Sequence, residues 1–154
     1  MARQDIALTV AEQAEVLARA RNLQVATNGP GGFPHLTTLW FYVDHGVVAF
    51  RSFTKSQRIV NLRRDPRITV LAELGEDYGE LRGVMIQGSA MLSTEPADVM
   101  QTYAEVAKKM EGLDEIDSEA VDAMWGRFAT KNTVVRVDPL KVVSWDHRKL
   151  RGAY

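Results

Sequence analysis

The chain contains no cysteine. That absence excludes disulfides, thiolate-held zinc or iron–sulfur centres, and a cysteine nucleophile. Histidine is scarce, three in 154 residues. His35, His45 and His147 have no ligand spacing, so no metal site is expected. No apolar run reaches the about 18 residues of a membrane helix. Near the start, Arg3, Asp5, Glu12 and Glu15 interrupt the apolar residues, an amphipathic pattern unlike a signal peptide, so the expected location is cytoplasmic. Charge of one sign is also missing: 19 Lys and Arg against 20 Asp and Glu leave a net charge of −1. Nucleic acid binding needs a basic surplus, so neither nucleic acid nor membrane is an expected partner. No Gly-x-Ser-x-Gly signature occurs. The acidic stretch 111–119 lacks the spacing and central glycine of a calcium loop.

What is present is ordinary globular composition, 45% hydrophobic and 25% charged. The length predicts a single domain over residues 1–154. Val10, Ala14, Leu17 and Ala18 recur at helical spacing in 9–21, with Thr9 as N-cap. Residues 23–27 alternate apolar and polar like a half-buried strand, and Asn28-Gly29-Pro30-Gly31-Gly32 forces a turn. Strands are predicted over 35–43 and 47–52 around the reversal Asp44-His45-Gly46, completing a meander of three. A short helix over 55–64 stops at Asp65-Pro66. Strands follow at 68–74 and 84–92, where Gly88 marks a bulge or a close backbone approach. Helices over 96–110 and 118–128 precede a last strand, 133–144, interrupted at Asp138-Pro139. Six strands with small helices between them predict an antiparallel β-barrel with helical additions.

The richest chemistry lies in Ser52-Phe53-Thr54-Lys55-Ser56-Gln57-Arg58. It follows a strand and opens a helix, where free N–H groups and the positive end of the helix dipole collect. Three hydroxyls, an ammonium and a guanidinium add the convergent donors a phosphate needs. Two readings stand: a phosphate clamp, or an ordinary helix start capped by Thr54 or Ser56, which is commoner. Arg63, Arg64 and Arg67 around Asp65 offer an anion site, but Arg63 and Arg64 read rather as cations favoured at a helix C-terminus. On the strand Thr37-Thr38-Leu39-Trp40-Phe41, odd and even residues face opposite ways. Its backbone edge and threonines suit a flat heterocycle, although by themselves Trp40 and Phe41 read as core.

The order of these pieces carries a resemblance. The N-terminal helix precedes Leu23-Gln24-Val25-Ala26-Thr27, the Gly-rich turn, Pro34-His35-Leu36-Thr37-Thr38-Leu39-Trp40-Phe41, the 52–58 cluster and Asn61-Leu62-Arg63-Arg64-Asp65-Pro66-Arg67. Leu81-Arg82-Gly83-Val84, Gly88-Ser89-Ala90 and Val137-Asp138-Pro139 through Trp145 follow. This resembles the pyridoxamine 5′-phosphate oxidase-like split β-barrel superfamily over residues 5–150. The Asn61–Arg67 run is most similar to its flavin/deazaflavin oxidoreductases of the B type. The resemblance implies a mainly β (α+β) fold: a six-stranded antiparallel split β-barrel with small flanking helices, homodimeric, with cofactor sites at the subunit interface. Many such proteins use the deazaflavin coenzyme F420; others bind FMN, and a few biliverdin or haem. The family's phosphate site falls on Ser52, Ser56, Gln57 and Arg58, with Lys55 nearby, and its ring-binding strand on Thr37, Thr38, Leu39 and Trp40.

True pyridoxamine phosphate oxidases carry arginine at the positions of Thr37 and Gln57, so that substrate is not expected. The implied activity is hydride transfer from reduced F420 to a small conjugated or heteroaromatic acceptor. The alternatives are an FMN-dependent oxidoreductase of the same fold and a non-catalytic F420- or tetrapyrrole-binding protein. No residue is assigned a catalytic acid or base role.

Overall fold

A computed structural model of the chain describes residues 6–150; the end of the basic tail and the start of the N-terminal segment lie outside them. Thr9 caps α1 (Val10–Arg19) as expected. Its hydroxyl accepts the Glu12 N–H at 3.3 Å, and the Glu12 carboxylate accepts the Thr9 N–H at 2.7 Å, which closes a capping box. β1 (Asn22–Asn28) and β2 (Pro34–Trp40) form a hairpin. The turn between them depends on Gly31 and Gly32, both at positive φ. β3 (Tyr42–Asp44) reverses through His45-Gly46 into β4 (Val47–Phe53). α2 (Gln57–Arg64), β5 (Arg67–Leu74), β6 (Arg82–Ser93), α3 (Pro96–Glu111), α4 (Ser118–Trp125) and β7 (Asn132–Asp146) complete the order.

Among the described residues, seven strands form one antiparallel sheet in the order β2-β1-β5-β6-β7-β4-β3. The extra strand arises because the expected strand 35–43 is two. β2 bonds to β1 and β3 bonds to β4, and the break falls at Phe41, whose side chain is fully buried. The expected three-strand meander is corrected with it: β1 continues to β5, and β4 to β7. β2 and β3 stand at opposite edges of the sheet, yet one residue joins them. A sheet whose edges are covalent neighbours must curl until they meet. The result is a mainly β, split, barrel-like sheet with helices on its flanks.

Asp138-Pro139 does not interrupt β7. Instead Gln87 pairs with Lys141 and Gly88 with Pro139, which leaves Leu140 as the extra residue of a bulge. Both readings of Gly88 hold. A β-carbon there would sit 2.2 Å from the Asp138 carbonyl oxygen.

The main core lies inside the curl. Leu23, Val25, Phe41, Phe50, Val70, Val84 and Val135 meet there, and α2 contributes Ile59 and Leu62. A second cluster, Val99, Tyr103, Val121 and Val134, lies where α3 and α4 cover β7. Among the described residues no helix is long and apolar enough to cross a membrane.

Candidate functional site

β4 delivers Ser52 to the end of the sheet, and a tight turn, Ser56 N–H to Phe53 carbonyl at 2.8 Å, starts α2. Ser52 is buried, with its Oγ 2.9 Å from Ser56 Oγ. Thr54 Oγ1 lies 3.0 Å from Thr133 Oγ1 on β7. Both candidate caps are thus engaged elsewhere. α2 begins without a side-chain cap and without an acidic residue in its first turn. Its leading N–H groups and the positive end of its dipole are left for another partner.

Arg58, in that first turn, is half-buried. Its Nε is shielded from solvent and has no hydrogen-bond partner. Burial pushes the guanidinium pKa below its ordinary value, although the group stays charged. Lys55 and Gln57 are exposed. Gln57 Nε2 donates to Asn61 Oδ1 at 2.8 Å, and Asn61 Nδ2 to Thr27 Oγ1 at 3.0 Å. This relay ties α2 to β1, the strand beside β2.

β2 is an edge strand, so its outer backbone groups are unpaired within the sheet. Its side chains alternate. Thr37 and Leu39 turn inward, Leu39 against the core, while Thr38 and Trp40 face outward. One face of a ring can therefore meet only one of these pairs. Trp40 is 54% exposed, which corrects its reading as core; Phe41 alone fills that role. Thr37 Oγ1 and His35 Nδ1 are both shielded and unpartnered.

The sequence reading missed Arg51. It precedes Ser52 on β4, lies 3.5 Å from the centre of the Tyr103 ring, and has an unpartnered, shielded Nε. Tyr103 stacks in turn on Trp125, ring centres 5.3 Å apart. Burial lowers the Arg51 pKa. A signal was available: no acidic residue occurs between Asp44 and Asp65, so cations in that stretch lack local counter-charge. Two arginines at the other end of α2 are engaged by neighbours outside the helix rather than by its last carbonyls. Arg64 donates to the Asn28 carbonyl, and Arg67 holds Asp65 with a 2.7 Å ion pair.

Buried polar groups in native proteins are nearly always hydrogen-bonded. Among the described residues, six side-chain atoms are shielded without a partner, on Gln24, His35, Thr37, Tyr42, Arg51 and Arg58. Arg51 lies on the face of β4 opposite Ser52, over Tyr103, whereas Arg58 Nε lies beside the uncapped helix start, a pairing that suits an anion. The residues between 9 and 145 match the family model described as pyridoxamine 5′-phosphate oxidase. The chain belongs to that family. This family member is 38% identical to a conserved hypothetical protein of Mycobacterium tuberculosis, with a TM-score of 0.86 over 98% of this chain and 92% of that one. It shares the fold of a protein described as an F420 reductase, at 18% identity and a TM-score of 0.62, covering 83% and 93% of the two chains. The fold also matches a FAD-binding protein of Mesorhizobium loti, at 15% identity and a TM-score of 0.64, covering 89% and 94%. No curated protein matches the sequence.

Proposed function

We propose that this family member is an oxidoreductase that binds the deazaflavin coenzyme F420 at the start of α2 and reduces a small conjugated or heteroaromatic acceptor. The observation that carries this is the pairing of half-buried Arg58, whose shielded Nε has no hydrogen-bond partner, with a helix start whose serine leaves it uncapped. An anion satisfies both at once. Ser52, Lys55, Ser56, Gln57 and Arg58 hold the phosphate, and the edge formed by Thr37, Thr38, Leu39 and Trp40 holds the ring. The bound coenzyme supplies hydride chemistry. The protein binds and orients the ring and keeps water from its reacting face. No side chain is assigned as proton donor; the acceptor takes its proton from solvent or from a nearby donor.

The same reading treats the chain as one split-barrel unit that works as a homodimer. Leu36, Trp40, Leu140 and Val142 are all exposed on the strands, the kind of apolar surface that marks an association site. FMN is the second candidate for the site, because its single phosphate needs no more than this donor set. F420 is preferred because Thr37 and Gln57 replace the two arginines of the FMN-dependent pyridoxamine phosphate oxidases.

A side-by-side titration with F420, FMN and FAD tests the assignment. Micromolar quenching of reduced F420 fluorescence, with turnover on an acceptor panel, is expected. Yellow protein and preferential FMN binding would transfer the activity to FMN. Tight binding without turnover would make the protein a carrier, and indifference to all three would end the proposal.

A further inference from the structure

His35 belongs to none of the groups assigned above, yet its Nδ1 is shielded from solvent and unpartnered. It lies on β2 two positions from Thr37, on the same inward-facing side. Two residues along a strand span about 6.6 Å. Across the β1–β2 pair His35 stands directly opposite Thr27, where facing β-carbons lie about 5 Å apart. Thr27 Oγ1 accepts from Asn61, and Asn61 accepts from Gln57 of the phosphate cluster. His35 is thus flanked by the ring strand on one side and by the relay to the start of α2 on the other. In a flavin-type cofactor, what joins ring to phosphate is a polyol chain, whose hydroxyls are both donors and acceptors.

We propose that His35 is a ligand-contacting residue of this site, with Nδ1 accepting a hydrogen bond from a hydroxyl of the ligand's polyol chain. The proposal rests on the cofactor reading above. A neutral imidazole with its proton on Nε2 presents a lone pair at Nδ1. A buried acceptor left empty costs free energy that a ligand hydroxyl restores. A phosphate oxygen, itself an acceptor, cannot serve a neutral Nδ1 and already has Arg58 and the helix N–H groups.

The test uses ligands that share the isoalloxazine ring and lose one part at a time: FMN, riboflavin without the phosphate, and lumiflavin without the polyol. F420 and its phosphate-free ribityl deazaflavin form a parallel pair. His35→Ala is expected to weaken FMN and riboflavin, or both deazaflavins, about tenfold while lumiflavin binding stays within about twofold. His35→Asn, which keeps an acceptor, is expected to recover part of the loss. The wild-type Nδ1 resonance should move on adding riboflavin or the ribityl deazaflavin and stay put with lumiflavin. Arg58→Ala should spare riboflavin and weaken FMN. Unchanged riboflavin and ribityl deazaflavin affinity in His35→Ala, or an equal loss for lumiflavin, would overturn the His35 contact and leave the cofactor reading standing. Wild-type protein that binds none of these ligands would overturn both.

Discussion

The two ends of the curled sheet handle charge in different ways. At the end where β6 starts and β7 finishes, cations are matched. Arg82 meets Glu15 at 3.3 Å, Lys149 meets Glu12 at 2.7 Å, and Arg148 grips buried Asp146 through Nε and Nη2 at 2.9 and 2.6 Å. At the other end Arg67 is matched by Asp65 at 2.7 Å and Arg51 rests on the Tyr103 ring, but at the start of α2 Arg58 keeps a shielded nitrogen with no hydrogen-bond partner and the helix has no cap. A protein gains stability from the first arrangement and gives some up for the second. The contrast separates residues that hold the fold from residues that the proposed function assigns to a ligand.

The sharpest way to break that contrast is to exchange the expected losses. Asp146→Ala should cost about 1–2 kcal/mol of unfolding free energy, a charged hydrogen-bond contribution reduced because Arg148 is half exposed. It should leave cofactor affinity alone. Arg58→Ala should do the reverse: affinity for the bound cofactor falls by about 1.5–3 kcal/mol, and denaturant unfolding shifts by less than about 0.5 kcal/mol. A large stability loss in Arg58→Ala would move that residue to the structural class.

The acid limb of the stability profile sharpens the comparison further. Hydrogen bonds from Arg148 hold the Asp146 carboxyl below its ordinary pKa. Its contribution is therefore present above the unfolded-state carboxylate value of about 4 and lost as pH falls through the lower folded value. Urea unfolding of wild type and Asp146→Asn should converge as the pH drops below 4. The smallest effect concerns Ser56→Ala. Ser56 caps nothing here but partners the buried Ser52 hydroxyl at 2.9 Å, so unfolding free energy should fall by about 1 kcal/mol while affinity drops a few-fold.

Much of the fold was legible. Thr9 and Glu12 are three apart and form a capping box because that geometry is local. Gly31, Gly32 and Gly46 mark turns that need positive φ, and Gly88 marked both the bulge and the close approach it causes. The 52–58 cluster was legible as a candidate clamp, but the choice between clamp and cap was not. It turns on where two hydroxyls point, and Thr133, 79 residues away, takes one of them. Arg51 escaped notice because its neighbour Tyr103, itself stacked on Trp125, arrives from a helix far along the chain.

By itself, the amino-acid order determined the alternation of the strands, the capping box at Thr9, the glycine turns, and the concentration of cations between Asp44 and Asp65. These rest on backbone sterics and on contacts a few residues apart, which short stretches encode. Only the tertiary structure decided that the strand through Phe41 breaks and serves both edges of the sheet. It also decided which polar atoms lose water without gaining a partner. Shielding is a property of everything packed around an atom, and that surrounding is assembled from residues scattered along the whole chain.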